Sequence, residues 1–68
     1  MSNPDIHPQA VIEPGAKLSP GVKVEAFAIV KASVTLESNV TIKSHAYIDG
    51  NTTIGEGSII YPFACIGT

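Results

Sequence analysis

With a single cysteine, Cys65, the 68-residue chain can form no internal disulfide, so nothing points to an oxidising compartment. Charge is scarce too: 15% of the residues are charged and the formal net charge is −2. That balance leaves no basic footprint for nucleic acid or an anionic membrane. No apolar run approaches the length of a transmembrane helix. The opening residues MSNPDIHPQA lack the basic and apolar regions of a signal peptide, and a cytoplasmic protein is the expectation. Histidine is limited to His7 and His45. On the architecture argued below they fall in different columns, roughly 10 Å apart along the axis, too far to share a metal within one chain. Sequence identifies no Ser-His-Asp arrangement and no phosphate loop. Gly55-Glu56-Gly57 opens no helix and reads as a corner rather than a nucleotide fingerprint.

What the chain does have is a period. Every sixth residue from position 6 is Ile, Leu or Val: Ile6, Ile12, Leu18, Val24, Val30, Leu36, Ile42, Ile48, Ile54, Ile60 and Ile66. With about one residue in four of these types, such a run arises by chance on the order of once in a few million sequences. Six fits neither an amphipathic helix nor a heptad, and it is a multiple of the strand period of two. The pattern marks a hexapeptide-repeat parallel β-helix, all-β, three hexapeptides to a coil. The length gives about three and a half coils in one domain, residues 1–68. The register aliphatics should point inward and form the most buried set.

Other positions follow the same logic. Two residues before each aliphatic the chain is mostly small, from Ala10 and Ala16 to Ser58 and Ala64, and alternation puts these on the inward side as well. Three residues after the aliphatic come Gly15, Gly21, Ser33, Asn39, Asn51 and Gly57, where a tight corner demands positive φ. Pro8, Pro14, Pro20 and Pro62 sit at corner entries, where a missing N–H costs least. A spacing of eighteen then gives the stacks: Ile6, Val24, Ile42, Ile60; Ile12, Val30, Ile48, Ile66; Leu18, Leu36, Ile54. Outside, Glu13, Lys31 and Asp49 stack with alternating sign, which favours the register by about 0.2–1 kcal/mol per pair.

The three corners differ. Two carry Gly, Asn or Ser. The third carries Gln9, Phe27, His45 and Phe63, beside an outward column of Val11, Ile29, Tyr47 and Cys65. The equivalent outward columns, Lys17, Thr35, Thr53 and Asp5, Lys23, Thr41, Ile59, are mostly polar. One side of the prism is therefore apolar where water should be, which marks a protein–protein contact. A closed ring is the expectation, a homotrimer its simplest form. His45 is expected to serve packing or a subunit hydrogen bond. Cys65, on the expected buried side with no basic neighbour in sequence, reads as an inert thiol.

Ile42-Lys43-Ser44-His45-Ala46-Tyr47-Ile48-Asp49-Gly50-Asn51-Thr52-Thr53-Ile54-Gly55, followed by Ile60-Tyr61-Pro62-Phe63-Ala64-Cys65-Ile66-Gly67, resembles the UDP-N-acetylglucosamine 3-O-acyltransferase family of lipid A biosynthesis. So does the opening Ile6-His7-Pro8-Gln9-Ala10-Val11-Ile12 with Pro14-Gly15-Ala16. The resemblance runs from Ile6 to Gly67 and corresponds to roughly the N-terminal quarter of such an enzyme. It implies a left-handed β-helix, an exception to the right-handed crossover rule, in a Gram-negative-type bacterium. It implies transfer of a 3-hydroxyacyl chain from acyl carrier protein to the glucosamine 3-hydroxyl of UDP-N-acetylglucosamine. The family uses one histidine as general base in a cleft between trimer subunits, on later coils than these. No catalytic residue, cofactor or metal ligand is therefore assigned within this chain, and by itself it is expected to be inactive.

Ile66-Gly67-Thr68 opens a hexapeptide without finishing it. Solenoid ends need polar caps; Ser2-Asn3-Pro4-Asp5 could supply one, and the other end carries none. A truncated N-terminal piece with an open last coil exposing Ile54, Ile60 and Ile66 is the expectation. Two alternatives stay open: a non-enzymatic β-solenoid scaffold, and another hexapeptide-repeat acyltransferase. A carbonic anhydrase of the same fold would need histidines at ligand spacing across a subunit boundary, and none is seen in the sequence.

Overall fold

The computed structural model describes residues 3–67. Ser2 and Thr68, both part of the capping expectations, lie outside the described residues. Among the described residues there are eleven strands of two residues each and no helix. They are β1 (Asp5–Ile6), β2 (Val11–Ile12), β3 (Lys17–Leu18), β4 (Lys23–Val24), β5 (Ile29–Val30), β6 (Thr35–Leu36), β7 (Thr41–Ile42), β8 (Tyr47–Ile48), β9 (Thr53–Ile54), β10 (Ile59–Ile60) and β11 (Cys65–Ile66). Each strand ends on a register aliphatic, so the six-residue period of the sequence is the period of the fold.

Pairing is parallel throughout and always joins a strand to the third one after it. The sheets run β1-β4-β7-β10, β2-β5-β8-β11 and β3-β6-β9. Register is eighteen residues: Ile6 faces Val24, Val24 faces Ile42, and Ile42 faces Ile60. Both other core columns obey the same step, through Ile12, Val30, Ile48 and Ile66 and through Leu18, Leu36 and Ile54. The outward residue of each strand from β1 to β8 donates its N–H to a carbonyl one coil on, as in Val11 N to Ala28 O at 2.8 Å and Lys23 N to Val40 O at 2.9 Å. A parallel β-solenoid of three-sided coils follows.

The core is shared more widely than the register aliphatics alone. Val24, Val30, Leu36, Ile42, Ile48 and Ile54 are buried, but so are Val22, Ala28, Val34, Val40 and Ala46 from the column two residues earlier. Ile6, Ile12, Leu18, Ile60 and Ile66 are only half-buried and pack against that cluster. The cause is stacking. A side chain in a middle coil has neighbours above and below, and one in an outer coil has them on one side only. Ile54, expected to be exposed, is buried at 8% exposure although β9 is the edge strand of its sheet, and Ile60 and Ile66 from β10 and β11 pack against the cluster to which it belongs.

Corners are closed by a bond between residues three apart, such as Ala10 N to His7 O at 2.9 Å and Ala64 N to Tyr61 O at 3.2 Å. Where the third residue of the turn has positive φ this is a type II arrangement, with proline favoured at the second position. Pro14, Pro20 and Pro62 hold that second position, and Gly15, Gly21 and Phe63 follow them at positive φ. Asn39 at φ 62° and Gly57 at φ 77° take the same conformation. Two corner residues depart from expectation. Ser33 stays out of the left-handed region, and at the next corner of that column Gly50, at φ 76°, takes it in place of Asn51. A glycine one position earlier offers the conformation without a Cβ penalty, so the chain turns there. The corner closes through the Thr52 hydroxyl, which donates to Asp49 O at 3.0 Å.

Two predictions test this packing. Leu36→Ala removes a fully buried side chain from the middle of a column and should cost about 2–5 kcal/mol. Ile6→Ala, in a half-buried end position, should cost clearly less; equal shifts in urea unfolding would place the core elsewhere. Gly57→Ala meets open space and should cost only the left-handed backbone penalty, about 1–2 kcal/mol. A Cβ on Gly50 would run into the Gly67 carbonyl, so Gly50→Ala should cost more and should loosen the β11 coil in hydrogen exchange.

Candidate functional site

The side chains that set one corner apart are brought together by the eighteen-residue step. Phe27, His45 and Phe63 occupy the same place in three successive coils. All three are held at positive φ, 65°, 64° and 63°, a conformation that bulky residues rarely adopt. Their rings form a continuous stack. Phe27 and His45 have centroids 5.2 Å apart and planes at 28°; His45 and Phe63 are 5.2 Å apart at 18°. Stacked ring pairs contribute about 0.5–1.5 kcal/mol beyond area burial, comparable with the backbone penalty. The main chain helps, since Phe27 N donates to Gln9 O at 3.2 Å and His45 N to Ala26 O at 3.4 Å. The demand for positive φ at this corner is a feature that reading for Gly and Asn misses.

The stack faces outward: Phe27 is 50% and Phe63 80% exposed. Val11, Ile59 and Tyr61 complete the exposed large hydrophobic residues among those described. Val11 lies on the β2-β5-β8-β11 sheet, and Ile59 and Tyr61 lie on or just after β10 of the β1-β4-β7-β10 sheet. Those two sheets meet at the aromatic corner. The β3-β6-β9 sheet carries none. Of the expected apolar column, Ile29 and Tyr47 are half-buried while Val11 and Cys65 are exposed. Cys65 was expected on a buried side; it is exposed because β11 has a neighbour, β8, on one side only.

Polar groups are arranged for structure. Lys31 and Glu13 form an ion pair at 2.7 Å, as the alternating column predicts. The Lys31 ammonium holds the Glu13 carboxyl below its ordinary value of 4.5, and Glu13 in turn raises Lys31 above 10.5. Asp49, the third member, accepts instead from the Tyr47 hydroxyl at 3.2 Å and from Gly50 N at 2.6 Å. A second pair, Lys43 to Glu25 at 3.5 Å, also joins residues eighteen apart and was legible by the same rule. His7 Nδ1 accepts from Gln9 N at 3.0 Å, the tautomer that carries its proton on Nε2. His7 borders an open depression of about 430 Å³ with Asp5, Lys23, Glu25 and Ser44. Among the described residues no group of three or more His, Cys, Asp or Glu is placed to hold a metal ion, and no helix is long and apolar enough to cross a membrane. Gly55-Glu56-Gly57 is an exposed corner, tied by Gly57 N to Ser38 O at 3.0 Å.

Comparison with known proteins gives one family. The model described as bacterial transferase hexapeptide (six repeats) matches residues 33–68, just over half of the chain. No curated protein and no solved structure gives a significant match.

The ion pair sets a pH dependence. Because Glu13 titrates lower when folded, its stabilisation is complete above about pH 4.5 and is lost as pH falls through the folded value. Lys31 titrates higher when folded, so its share is complete below about pH 10.5 and is lost as pH rises through the folded value. Glu13→Gln should therefore flatten the acid limb of a thermal-stability profile and leave the profile between those limits level.

Proposed function

We propose a function from one premise: the chain belongs to the bacterial transferase hexapeptide family. It is the N-terminal β-helix of a homotrimeric acyltransferase, of left-handed coil, that moves a 3-hydroxyacyl group from acyl carrier protein to UDP-N-acetylglucosamine. The family membership supports the transferase class. The choice of donor and acceptor rests on the resemblance of the segments 42–55 and 60–67. The observation that carries the assembly is the aromatic corner. All the exposed large hydrophobic side chains among the described residues lie on it or on the two sheets that meet there, which fits a patch covered by copies of the same chain.

Within that enzyme these coils bind and position rather than react. The general base belongs to coils that the resemblance puts further along the enzyme, and no residue of this chain is assigned a proton transfer. A rigid solenoid fixes the angle between neighbouring subunits. A cleft between subunits keeps its geometry only as well as that contact does.

The test compares two lysines in the whole enzyme. Ile29→Lys puts a charge into the proposed contact, where burial without a partner costs several kcal/mol. It should dissociate the trimer and abolish acyl transfer to UDP-N-acetylglucosamine, while coil structure by circular dichroism is kept. Thr35→Lys, at the same outward position on the polar sheet, should remain trimeric and active. If light scattering finds the Ile29 variant trimeric, the corner is not a subunit contact. If the wild-type enzyme forms no acylated UDP-N-acetylglucosamine, the acceptor is wrong.

A further inference from the structure

The corner at Asp49-Gly50 is the irregular one, and its atoms are arranged for a reaction. Gly50 N lies 2.6 Å from Asp49 Oδ1, so the amide nitrogen is held against the carboxyl of the preceding residue. The Tyr47 hydroxyl reaches the other oxygen, Oδ2, at 3.2 Å. Gly50 carries no Cβ to shield its nitrogen, and both Asp49 and Gly50 are half-buried, within reach of water. Asp49-Gly50 is also the only Asp-Gly or Asn-Gly pair in the chain. The geometry points to Asp49-Gly50 as a self-modification site, where the chain closes a succinimide ring and reopens it as isoaspartate, with Tyr47 as the proton donor.

The reacting form is the neutral carboxylic acid, its proton on Oδ2. Gly50 N passes its proton to Asp49 Oδ1, its hydrogen-bond partner, and attacks Asp49 Cγ; the N–Cγ bond forms and the carbon becomes tetrahedral with two hydroxyls. The Cγ–Oδ2 bond then breaks. Oδ2 leaves as water, keeping the acid proton and taking a second from the Tyr47 hydroxyl, while Oδ1 releases its proton to solvent as the carbonyl re-forms and the Tyr47 oxygen regains one. Burial pushes the Tyr47 hydroxyl above its ordinary value of 10.0, so it holds a proton to give. One water is lost in closure and one is regained in hydrolysis. Attack on the side-chain carbonyl restores aspartate, and attack on the main-chain carbonyl gives isoaspartate. Closure within one held pair saves the entropy of bringing nucleophile and carbonyl together.

The product has a structural consequence. Isoaspartate routes the main chain through Cβ and adds a carbon between Asp49 and Gly50. Gly50 already packs so closely on Gly67 that even a Cβ has no room. The added length falls where β11 rests on β8, whose pairing is completed by Asp49 N to Ile66 O at 2.9 Å.

The test ages the full 68-residue chain at 37 °C, folded and in urea, at one pH. Isoaspartyl methyltransferase labelling and mass analysis of the tryptic fragment 44–68 read the loss of one water and then the isoaspartate. The folded chain should convert Asp49 faster than the urea-unfolded chain. Tyr47→Phe, which keeps the ring, should slow folded conversion about a hundredfold, the low end for help from a general acid, and leave the unfolded rate unchanged. Asp49→Glu should stop it, because its side chain closes only a larger ring. Slower conversion in the folded chain than in urea, or a Tyr47→Phe rate equal to wild type, would overturn the assignment. Circular dichroism of each variant separates loss of fold from loss of chemistry.

Discussion

Every feature of this molecule depends on one constraint: residue i must lie over residue i+18. Its strands are only two residues long, far below what an isolated pair needs to persist. Each strand is held because the same short ladder recurs on three faces and in every coil. The stability is therefore that of a stack, approximately a sum of coil and nearest-neighbour terms. It also explains the burial gradient. Leu36, Ile42 and Ile48 are fully buried and Ile6 and Ile66 half-buried, although the side chains differ little. Position in the stack decides burial, and residue type only permits it.

The constraint makes the corners costly. A three-sided coil turns sharply, and many of its turns require positive φ. Glycine or asparagine meets that demand cheaply at Gly15, Gly21, Asn39 and Gly57. Phe27, His45 and Phe63 meet it at a penalty of about 1–2 kcal/mol per residue. The same eighteen-residue step places each ring on the next at 5.2 Å, so two stacked contacts offset part of three strained backbones. A single aromatic corner residue would have the strain without the stack. The ladder is thus a collective feature, stable as a column and not as separate substitutions.

How far the sequence discloses this follows from the same argument. The period, the strand positions, the register and the Glu13–Lys31 pair were all legible, because each repeats and a repeat can be counted. The matching Glu25–Lys43 pair was there to be read by the same spacing. What escaped was local and did not repeat. Gly50 takes the turn from Asn51 because glycine carries no Cβ penalty there, and a Cβ at that position would meet the Gly67 carbonyl. The depression beside His7 escaped because it joins residues from three coils across four columns. The exposure of Cys65 escaped because a periodic reading assumes a neighbour on both sides of every strand.

A fold built this way leaves few places for function. Inward positions are committed to the core and outward strand positions to the ladder, so a change in either is felt through the coils above and below. Corner side chains project beyond both. A column there can change its chemistry while the backbone ladder beneath it stays the same. Two corners of this prism are small or polar and the third is aromatic, and that difference removes the pseudo-threefold sameness of the coil. The aromatic corner gives the molecule a front. Exposed hydrophobic side chains gather on both sheets that meet there, and the opposite sheet remains polar. The proposed assembly, which must place one subunit against another at a fixed angle, needs such an asymmetry, and the stacked rings supply it.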